Sequence, residues 1–505
     1  MLLGLAPALS PLGWFLFAAT GLLMATYLYF WWMVIRASLR GHVSRAKLSN
    51  GDLRIALKQA ASRGDTHRFL IQITTKGGAA TVVQRGIDEA IEGVRRFPVL
   101  AGVVRIEVIT EVPDEVQLLA ERYRSAPIPV VAFLLPGDYQ TPRGTKLKAR
   151  ALEYLVEQHR ADPQDCYVVH YDEESVFTPE NLARLVHRIA LHPVGISEGM
   201  ISYGLDWRQT TLLNKAMESN RPFGCHECFS VMTSPPPLHL HGSNLVVRQD
   251  LENQLGWDIG TLNGSALIAE DLIFGLAAYL RFGSEVFGWH HAEMIEQPPF
   301  SLKAAYKQRE RWVFGALQAL AHVRREQNWL RLSRRDRWHI NIVIRLRVFT
   351  YALGFPVSLL ALSANAAGLA NLALDSAGEG NLHFDAPEIT AYSFVSVAGF
   401  LLWMAGTQLG LFYNLRYAGL TGRQKLRDHV LVLLATPFAG IVDTLGPLMA
   451  VAKWVTGTRE VAWQPTPKLA AESPTSELRP DAAAVDPARP SERLIRTAEE
   501  ESAHD

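Results

Sequence analysis

Residues 167–174 read Tyr-Val-Val-His-Tyr-Asp-Glu-Glu, and this stretch predicts the class of the fold. Its apolar part, Tyr167 to Tyr171, is typical of a short strand that is buried on both faces. Three similar runs precede it, each followed by a segment of helical pattern: Phe69–Thr75, Val103–Thr110 and Ile128–Leu135. Strands that alternate with helices predict a mostly parallel sheet covered by helices on both faces.

Polar residues follow several of these predicted strands. They are found at Thr74–Gly78, at Glu111 and at Asp172–Glu174. In sheets of this class, ligands bind beyond the carboxyl ends of the strands. We therefore expect these side chains to converge on one cleft.

The next part of the chain, residues 195–325, has a mixed pattern. Gly195–Tyr203 and Ser243–Val247 are predicted strands, and Gln209–Ser219 is a predicted helix between them. The segment Phe223–His241 is rich in Pro, His and Cys, and this composition predicts a loop.

Composition narrows the class of protein. The 505 residues include 50 Lys plus Arg and 50 Asp plus Glu, so the net charge favours neither nucleic acid nor an acidic partner. The three cysteines, Cys166, Cys225 and Cys228, form no disulfide framework and fit a reducing compartment.

Leu12–Ile35 is almost free of charge and is long enough to cross a bilayer, which takes about 20 residues. Basic residues follow it directly: Arg36, Arg40, Arg45 and Lys47. By the positive-inside rule this pattern predicts an anchor with the N-terminus outside and the next segment in the cytosol.

Apolar segments return after Arg347. Val348–Leu374 and Ala391–Leu415 are predicted to span the membrane, with basic residues after the second one returning the chain to the cytosol. His429–Val455 contains two prolines and an aspartate, and Lys453 with Arg459 flank its far end, so we expect a broken or re-entrant helix.

Two short motifs carry residue types suited to chemistry. Glu270 and Asp271 open an apolar helical run, and Gln308, Arg311 and Trp312 share one face of another predicted helix. An amide, a guanidinium and an indole N–H are donors suited to a diphosphate, and a carboxylate can accept a proton. Together they make half of a glycosyl-transfer site. The alternative is a helix N-terminus with stabilising acids and an ordinary surface arginine.

Several pieces between Ile71 and Trp312 resemble the membrane-bound family 2 glycosyltransferases with the GT-A fold. The matching pieces, in chain order, are Val108–Glu111, Gly144, Lys148–Leu152, Val169–Glu174, Gly242-Ser243, Ala269–Asp271, Glu293-Met294 with Glu296, Pro299 and Phe300, and Gln308–Trp312. Within that family the chain resembles the Egghead-type β-1,4-mannosyltransferases and, more distantly, the cellulose and hyaluronan synthases.

The resemblance implies an α/β fold, with a GT-A (Rossmann-like) mixed sheet domain inserted between transmembrane helices and accompanied by interfacial amphipathic helices. The expected divisions are an anchor at 1–36, a juxtamembrane connector at 37–66, a catalytic domain at 67–300, interfacial helices at 301–347, C-terminal transmembrane helices at 348–457 and a disordered tail at 458–505.

Roles for single residues follow from the resemblance and from their chemistry. Asp271 is expected to be the general base, with Glu270 as the alternative, and Asp172 with Glu174 is expected to hold Mg²⁺ or Mn²⁺. The expected donor-binding residues are Thr74, Thr75, Glu111, Lys148, Asp172, Gln308, Arg311 and Trp312. The expected acceptor-binding residues are Gly242, Ser243, Glu270 and Trp312.

The implied function is an inverting, metal-dependent transfer of mannose from GDP-mannose to a membrane glycolipid, forming a β-1,4 linkage. The expected partners are a nucleotide-sugar donor and a membrane lipid or glycolipid acceptor, without nucleic acid. The expected location is a plasma membrane of bacterial type, with the catalytic domain in the cytosol. Two alternatives stay open: a processive polysaccharide synthase that uses a UDP-sugar, and an inactive membrane scaffold.

The segment around Cys225 and Cys228 also contains His239 and His241. Two cysteines and two histidines can bind zinc, although the histidine spacing is tighter than in common structural sites. The alternative interpretation is a loop near the acceptor entrance that holds no metal.

Overall fold

The structure is a computed structural model that describes residues 11–458 and 466–469, apart from residues 66, 164, 235, 237–239 and 377–385. The strands are β1 (Arg68–Thr74), β2 (Val104–Thr110), β3 (Val130–Leu134), β4 (Cys166–Asp172), β5 (Ile196–Glu198), β6 (Ile201–Ser202), β7 (Leu245–Arg248), β8 (Thr261–Leu262), β9 (Ser265–Ala266), β10 (Phe287–Trp289) and β11 (Met294–Ile295). The helices are α1 (Pro11–Leu39), α2 (Asn50–Ser62), α3 (Ala80–Arg96), α4 (Pro113–Arg122), α5 (Lys148–His159), α6 (Pro179–Leu191), α7 (Leu212–Glu218), α8 (Asn220–Thr233), α9 (Gln249–Leu255), α10 (Glu270–Phe282), α11 (Leu302–Val323), α12 (Arg334–Ser376), α13 (Ala386–Asn414) and α14 (Gly422–Val455).

A mixed seven-stranded sheet forms the centre of the molecule, in the order β10-β5-β7-β4-β1-β2-β3. Strands β4, β1, β2 and β3 run parallel to one another, whereas β7, between β4 and β5, is antiparallel to both. Thr74 pairs with Asp172 on one side and with Ile109 on the other, so the carboxyl ends of three strands meet at one edge. The predicted α/β fold with a mixed sheet is confirmed.

Apolar side chains are buried on both faces of the sheet. In β7, Leu245 and Val247 pack in one core cluster with Phe274 of α10, while Val246 packs in a second cluster with Leu182 of α6. Alternate residues of a strand point to opposite faces, so one short apolar run supplies both cores.

The prediction of a loop over Phe223–His241 is wrong for its first half, which is the helix α8. Pro222 lies in the first turn of α8, where the missing N–H has no helical partner to lose. The helix packs between α1 and α13 and is buried on several sides, so it lacks the amphipathic pattern by which helices are recognised in a sequence.

Within the described residues, four helical segments are long and apolar enough to cross a membrane: Ala18–Leu39, Arg334–Leu360, Val395–Asn414 and Gly422–Val455. Helices α1, α12 and α13 pack against one another. The Trp31 indole Nε1 donates to the Leu402 carbonyl at 3.1 Å, and the rings of Phe355 and Trp403 lie 6.0 Å apart.

The expected boundary between interfacial helices and membrane helices at residue 347 does not coincide with the end of a helix. Helix α12 begins at Arg334 and continues through that position to Ser376. The helix before it, α11, has a buried face that includes Arg309, Glu310 and Phe314. It therefore packs within the protein, and its amphipathic pattern reflects that packing.

Helix α14 is continuous from Gly422 to Val455, so of the two expected forms, a broken or a re-entrant helix, the broken one is wrong. Pro437 and Pro447 lie inside it, and each removes one backbone donor without ending the helix. Both of its ends contact the sheet domain or the helices attached to it. Asp428 accepts from Trp207 Nε1 at 2.8 Å near the start, and Lys453 pairs with Glu310 at 2.6 Å near the end.

Candidate active site

A cavity of about 610 Å³ lies beyond the carboxyl ends of β1, β2 and β4. Helices α5, α10 and α11 also contribute to its wall. The structure places every site residue expected from the sequence in this wall: Thr74, Thr75, Glu111, Lys148, Asp172, Glu174, Gly242, Ser243, Glu270, Asp271, Gln308, Arg311 and Trp312.

Lys148 is one of the cationic residues that line the cavity. It is the first residue of α5, and its Nζ donates to a carboxylate oxygen of Asp172 and, at 2.9 Å, to the Gly242 carbonyl. Burial alone would raise the pKa of Asp172, but the positive charges of Lys148, Lys468 and Arg311, together with the hydrogen bond from Lys148, hold this pKa below its ordinary value. Asp172 is therefore ionised at neutral pH.

Gly242 separates this ion pair from the acids of α10. A Cβ atom on Gly242 would lie 3.1 Å from Lys148 Nζ, 3.5 Å from Asp271 Oδ2 and 3.7 Å from Glu270 Oε1. Any other residue would place a Cβ atom in this space. The ammonium and the two carboxylates therefore all lie within 3.7 Å of one point, the position of that Cβ.

Asp271 lies in the first turn of α10, where its Oδ1 accepts from the backbone N–H of Leu272 at 2.8 Å. Burial and the neighbouring carboxylate of Glu270 raise the pKa of Asp271 to about 7. The pKa of Glu270 is also raised, chiefly by burial. A carboxyl group with a pKa near neutrality is suited to accept a proton during a reaction.

Gln308, Arg311 and Trp312 lie on one face of α11, as their spacing predicts. Burial lowers the pKa of Arg311, although the acids Glu270, Asp172 and Glu174 oppose that effect. The guanidinium of Arg221 lies 4.3 Å from the ring centre of Trp312, and Arg309 donates to Gln308 Oε1 at 2.8 Å. The face thus presents a cation and an aromatic plate to the cavity.

Three predicted donor-binding residues at the strand ends are held by other protein groups. The Glu111 carboxylate pairs with Arg150 at 2.9 Å, and the Thr74 hydroxyl donates to the Tyr171 carbonyl at 3.4 Å. The Thr75 hydroxyl donates to Glu173 at 2.8 Å.

Sequence reasoning assigned no role to Glu296, which the structure brings into the cavity wall. Its carboxyl group accepts from the hydroxyls of Ser175, at 3.1 Å, and of Ser243. Burial, followed by the charges of Glu174 and Asp172, raises the pKa of Glu296 to about 8. The Glu293–Phe300 piece of the resemblance was the signal that contained it.

Residues 466–469 also reach the cavity, so the expectation of a disordered tail from residue 458 is wrong for these four residues. Lys468 Nζ donates to Glu174 Oε1. Gln297 pairs with Leu469 twice, donating from Nε2 to its carbonyl at 2.9 Å and accepting from its N–H at 3.2 Å. A single lysine in a Pro- and Ala-rich segment offers no pattern by which this contact could be predicted.

Asp172 and Glu174 fit a divalent cation that prefers oxygen ligands. Both carboxylates face the same cavity, and the ammonium of Lys468 beside Glu174 shows that this position accepts a positive charge. Two carboxylates are fewer ligands than Mg²⁺ takes, and the remaining ligands would be water and phosphate oxygens.

A sequence profile described as "Glycosyl transferase family group 2" matches residues 167–407. The chain carries a family 2 glycosyltransferase domain. That domain contains Asp172, Asp271 and the Gln308–Trp312 motif, and it confirms the family to which the sequence shows a resemblance.

The chain is also similar to curated β-1,4-mannosyltransferases. It is 29% identical over 219 residues to "Beta-1,4-mannosyltransferase egh" of Drosophila melanogaster, covering 42% of this chain and 44% of that protein. It is 27% identical over 257 residues to "Beta-1,4-mannosyltransferase bre-3" of Caenorhabditis elegans, covering 49% of this chain and 51% of that protein. The chain thus spans about half the length of these relatives.

Among solved structures, the chain is similar to residues 1–349 of S. aureus TarS, with 12% sequence identity and a TM-score of 0.34. The overlay covers 77% of this chain and 92% of that one.

Proposed function

We propose that this protein transfers mannose from GDP-mannose to a membrane glycolipid, with inversion at the anomeric carbon and formation of a β-1,4 linkage. One observation carries the proposal: the carboxylate of Asp271 and the ammonium that pairs with Asp172 both lie against Gly242, 3.5 Å and 3.1 Å from the point that its Cβ would occupy. A proton acceptor therefore lies beside the cation that would hold a departing diphosphate. The names of the curated relatives support the choice of mannose and of the linkage.

In the proposed reaction, the acceptor hydroxyl oxygen attacks the anomeric carbon, and Asp271 accepts the hydroxyl proton. The bond to the diphosphate breaks on the opposite side of that carbon, and its electron pair leaves with the diphosphate. A single displacement of this kind inverts the configuration, so an α-linked donor yields a β-linked product. Glu270, next to Asp271, is the alternative proton acceptor.

Lys148 and Arg311 are proposed to neutralise the departing diphosphate. Arg311 suits this role because its fork can hold two phosphate oxygens at once, and burial strengthens each of these contacts. Mg²⁺ or Mn²⁺, held by Asp172 and Glu174, would add positive charge at the same oxygens.

The shape of the cavity supports an acceptor embedded in a membrane. Its wall continues from the strand ends to the apolar helices, where Ile344, Val348 and Tyr351 of α12 and Pro447 of α14 line it. An acceptor with a lipid tail could place its sugar beside Asp271 and leave its chain against these helices.

The test is the Asp271→Asn variant of the full-length protein in detergent. Its melting point should rise with GDP and Mn²⁺ as in the native protein, because ligands that bind the folded state stabilise it. Transfer of mannose to a glycolipid should fall by about 10²–10⁴-fold, the size of a general-base contribution. Asp138→Asn changes an exposed acid outside the cavity and is the matched control.

The outcomes separate the alternatives. Full transfer by Asp271→Asn would remove Asp271 from its proposed role. Stabilisation by UDP in place of GDP, together with a ladder of products, would instead indicate a processive synthase. Absence of both transfer and donor hydrolysis in the native protein would indicate an inactive scaffold.

A further inference from the structure

A second cluster of metal-ligand side chains lies beside the cavity and has no part in the proposed sugar transfer. Cys225 and Cys228 are three residues apart in α8, so their side chains lie on the same face of that helix. His241 approaches them from the segment that precedes β7. One ligand atom from each of the three residues lies within 4.8 Å of the other two, and Cys228 Sγ is 3.5 Å from His241 Nε2.

The imidazole of His241 has a carboxylate behind it. Its Nδ1 lies 3.9 Å from Glu198 Oε2, and its backbone N–H donates to Glu198 Oε1. Glu198 is fully buried, and its Oε2 accepts no hydrogen bond from the residues that the structure describes. Histidines that bind metals commonly direct their second nitrogen to such a carboxylate, which fixes the ring orientation and raises its basicity.

The three side chains of this cluster indicate which metal ion it would bind. Two thiolates and one imidazole are the set that Zn²⁺ prefers, whereas Mg²⁺ and Ca²⁺ prefer oxygen. Two thiolates also cancel the charge of a divalent ion, which suits a cluster in which both cysteines are buried.

We propose that Cys225, Cys228 and His241 bind one Zn²⁺ ion, with Glu198 orienting the histidine. Three protein ligands leave the fourth position of a tetrahedral site open. Cys225 and His241 both line the cavity, as does Gly242, so the ion would lie at the wall of the cavity. The ion would tie the backbone that carries Gly242 to α8. His239, the fourth residue of the motif in the sequence, lies outside the described residues.

This site stands apart from the proposed sugar transfer, and its test measures bound metal. The full-length protein is purified in detergent without a metal-binding tag, washed with a chelator, and analysed for metal by mass spectrometry. We expect one zinc per chain in the native protein. Cys225→Ser and Cys228→Ser should each lose it, whereas Cys166→Ser should keep it, because that buried thiol donates to Gln249 elsewhere in the fold.

A second measurement covers the case in which the variants fail to fold. Native protein stripped of metal and loaded with Co²⁺ should show a thiolate-to-cobalt charge-transfer band and the intense visible bands of tetrahedral cobalt. Absence of these bands would overturn the proposal. So would zinc retained by the Cys225→Ser, Cys228→Ser double variant, or a disulfide between the two cysteines found by alkylation of the native protein under non-reducing conditions.

Discussion

At the scale of single residues, the chemistry of the cavity depends on the absence of a side chain at position 242. Gly242 leaves room between Lys148 and Asp271 that no other residue would leave. In Gly242→Ala, the new methyl group would lie 3.1 Å from Lys148 Nζ, so the ammonium or the backbone must move by a few tenths of an ångström. A misplacement of about 1 Å at reacting groups can cost about 10²-fold in rate, so a smaller displacement should lower turnover by a smaller factor.

We therefore expect Gly242→Ala to lower kcat by at least about tenfold while changing the melting point little. Steady-state kinetics and a thermal melt in detergent measure the two effects. Gly137→Ala is the matched control, since Gly137 is exposed and a Cβ there meets no atom within 4 Å. Unchanged kcat in Gly242→Ala would show that the reacting groups do not meet at this position.

The raised pKa of Asp271 predicts a pH dependence. Because this pKa is about 7, the carboxyl group is mostly protonated below pH 7 and cannot accept a proton there. The value of kcat/KM, which reports the free enzyme, should rise about tenfold per pH unit below that pKa and level off above it.

Donor binding provides the contrast. The pKa of Asp172 is lowered, so its charge stays constant over the same range and Asp172 contributes no pH dependence to the affinity for the donor. A flat kcat/KM profile between pH 5.5 and 8.5, with donor affinity unchanged, would contradict a role for a group of raised pKa.

At the scale of elements, the segment 466–469 places a lysine where a metal ion would bind. The ammonium of Lys468 must leave Glu174 before a divalent cation can use that carboxylate. Lys468→Ala should therefore bind Mn²⁺ about tenfold more tightly in the absence of donor, a difference of about 1.4 kcal/mol in binding free energy. Calorimetric titration with Mn²⁺ measures the change.

Lys468→Arg keeps the charge and should bind Mn²⁺ like the native protein. Lys303→Ala removes an exposed lysine from α11 and controls for the loss of one positive charge from the molecule. Equal Mn²⁺ affinity in Lys468→Ala and in the native protein would show that the lysine and the metal do not compete.

At the scale of the whole molecule, the packing of α14 limits how the chain crosses a membrane. One end of this helix pairs with α7 through Lys215 and Asp428, at 3.0 Å, and the other pairs with α11 through Lys453 and Glu310, at 2.6 Å. Since residues 466–469 also reach the cavity, the chain before and after α14 lies on the side of the sheet domain. We infer that α14 lies along the membrane surface, whereas α1, α12 and α13 cross.

Cysteine labelling in intact cells and in inverted vesicles tests this arrangement. Single cysteines introduced by Arg40→Cys and Thr458→Cys should react with an impermeant maleimide from one side, the cytosolic side. A cysteine introduced by Gly378→Cys, between α12 and α13, should react from the other side. The three native cysteines are buried, so we expect them to react little with the maleimide. Reaction of position 458 from the side of position 378 would show that α14 crosses the membrane.

The sequence by itself determined the class of the sheet and most of the cavity wall. Apolar runs such as Tyr167–Tyr171 indicate buried strands. The local spacing of apolar residues also indicates that Asp271 and Arg311 lie on helices. These features depend on neighbours along the chain, which is why they could be predicted.

Only the tertiary structure decided the remaining features. It showed that Cys225 and Cys228 lie on a buried helix, that Glu198 lies behind His241, and that Lys468 meets Glu174 across 294 positions of the chain. Contacts between residues so far apart leave no periodic pattern, because they depend on how whole elements pack. A buried helix surrounded by protein also loses the two-sided pattern that would identify it in the sequence.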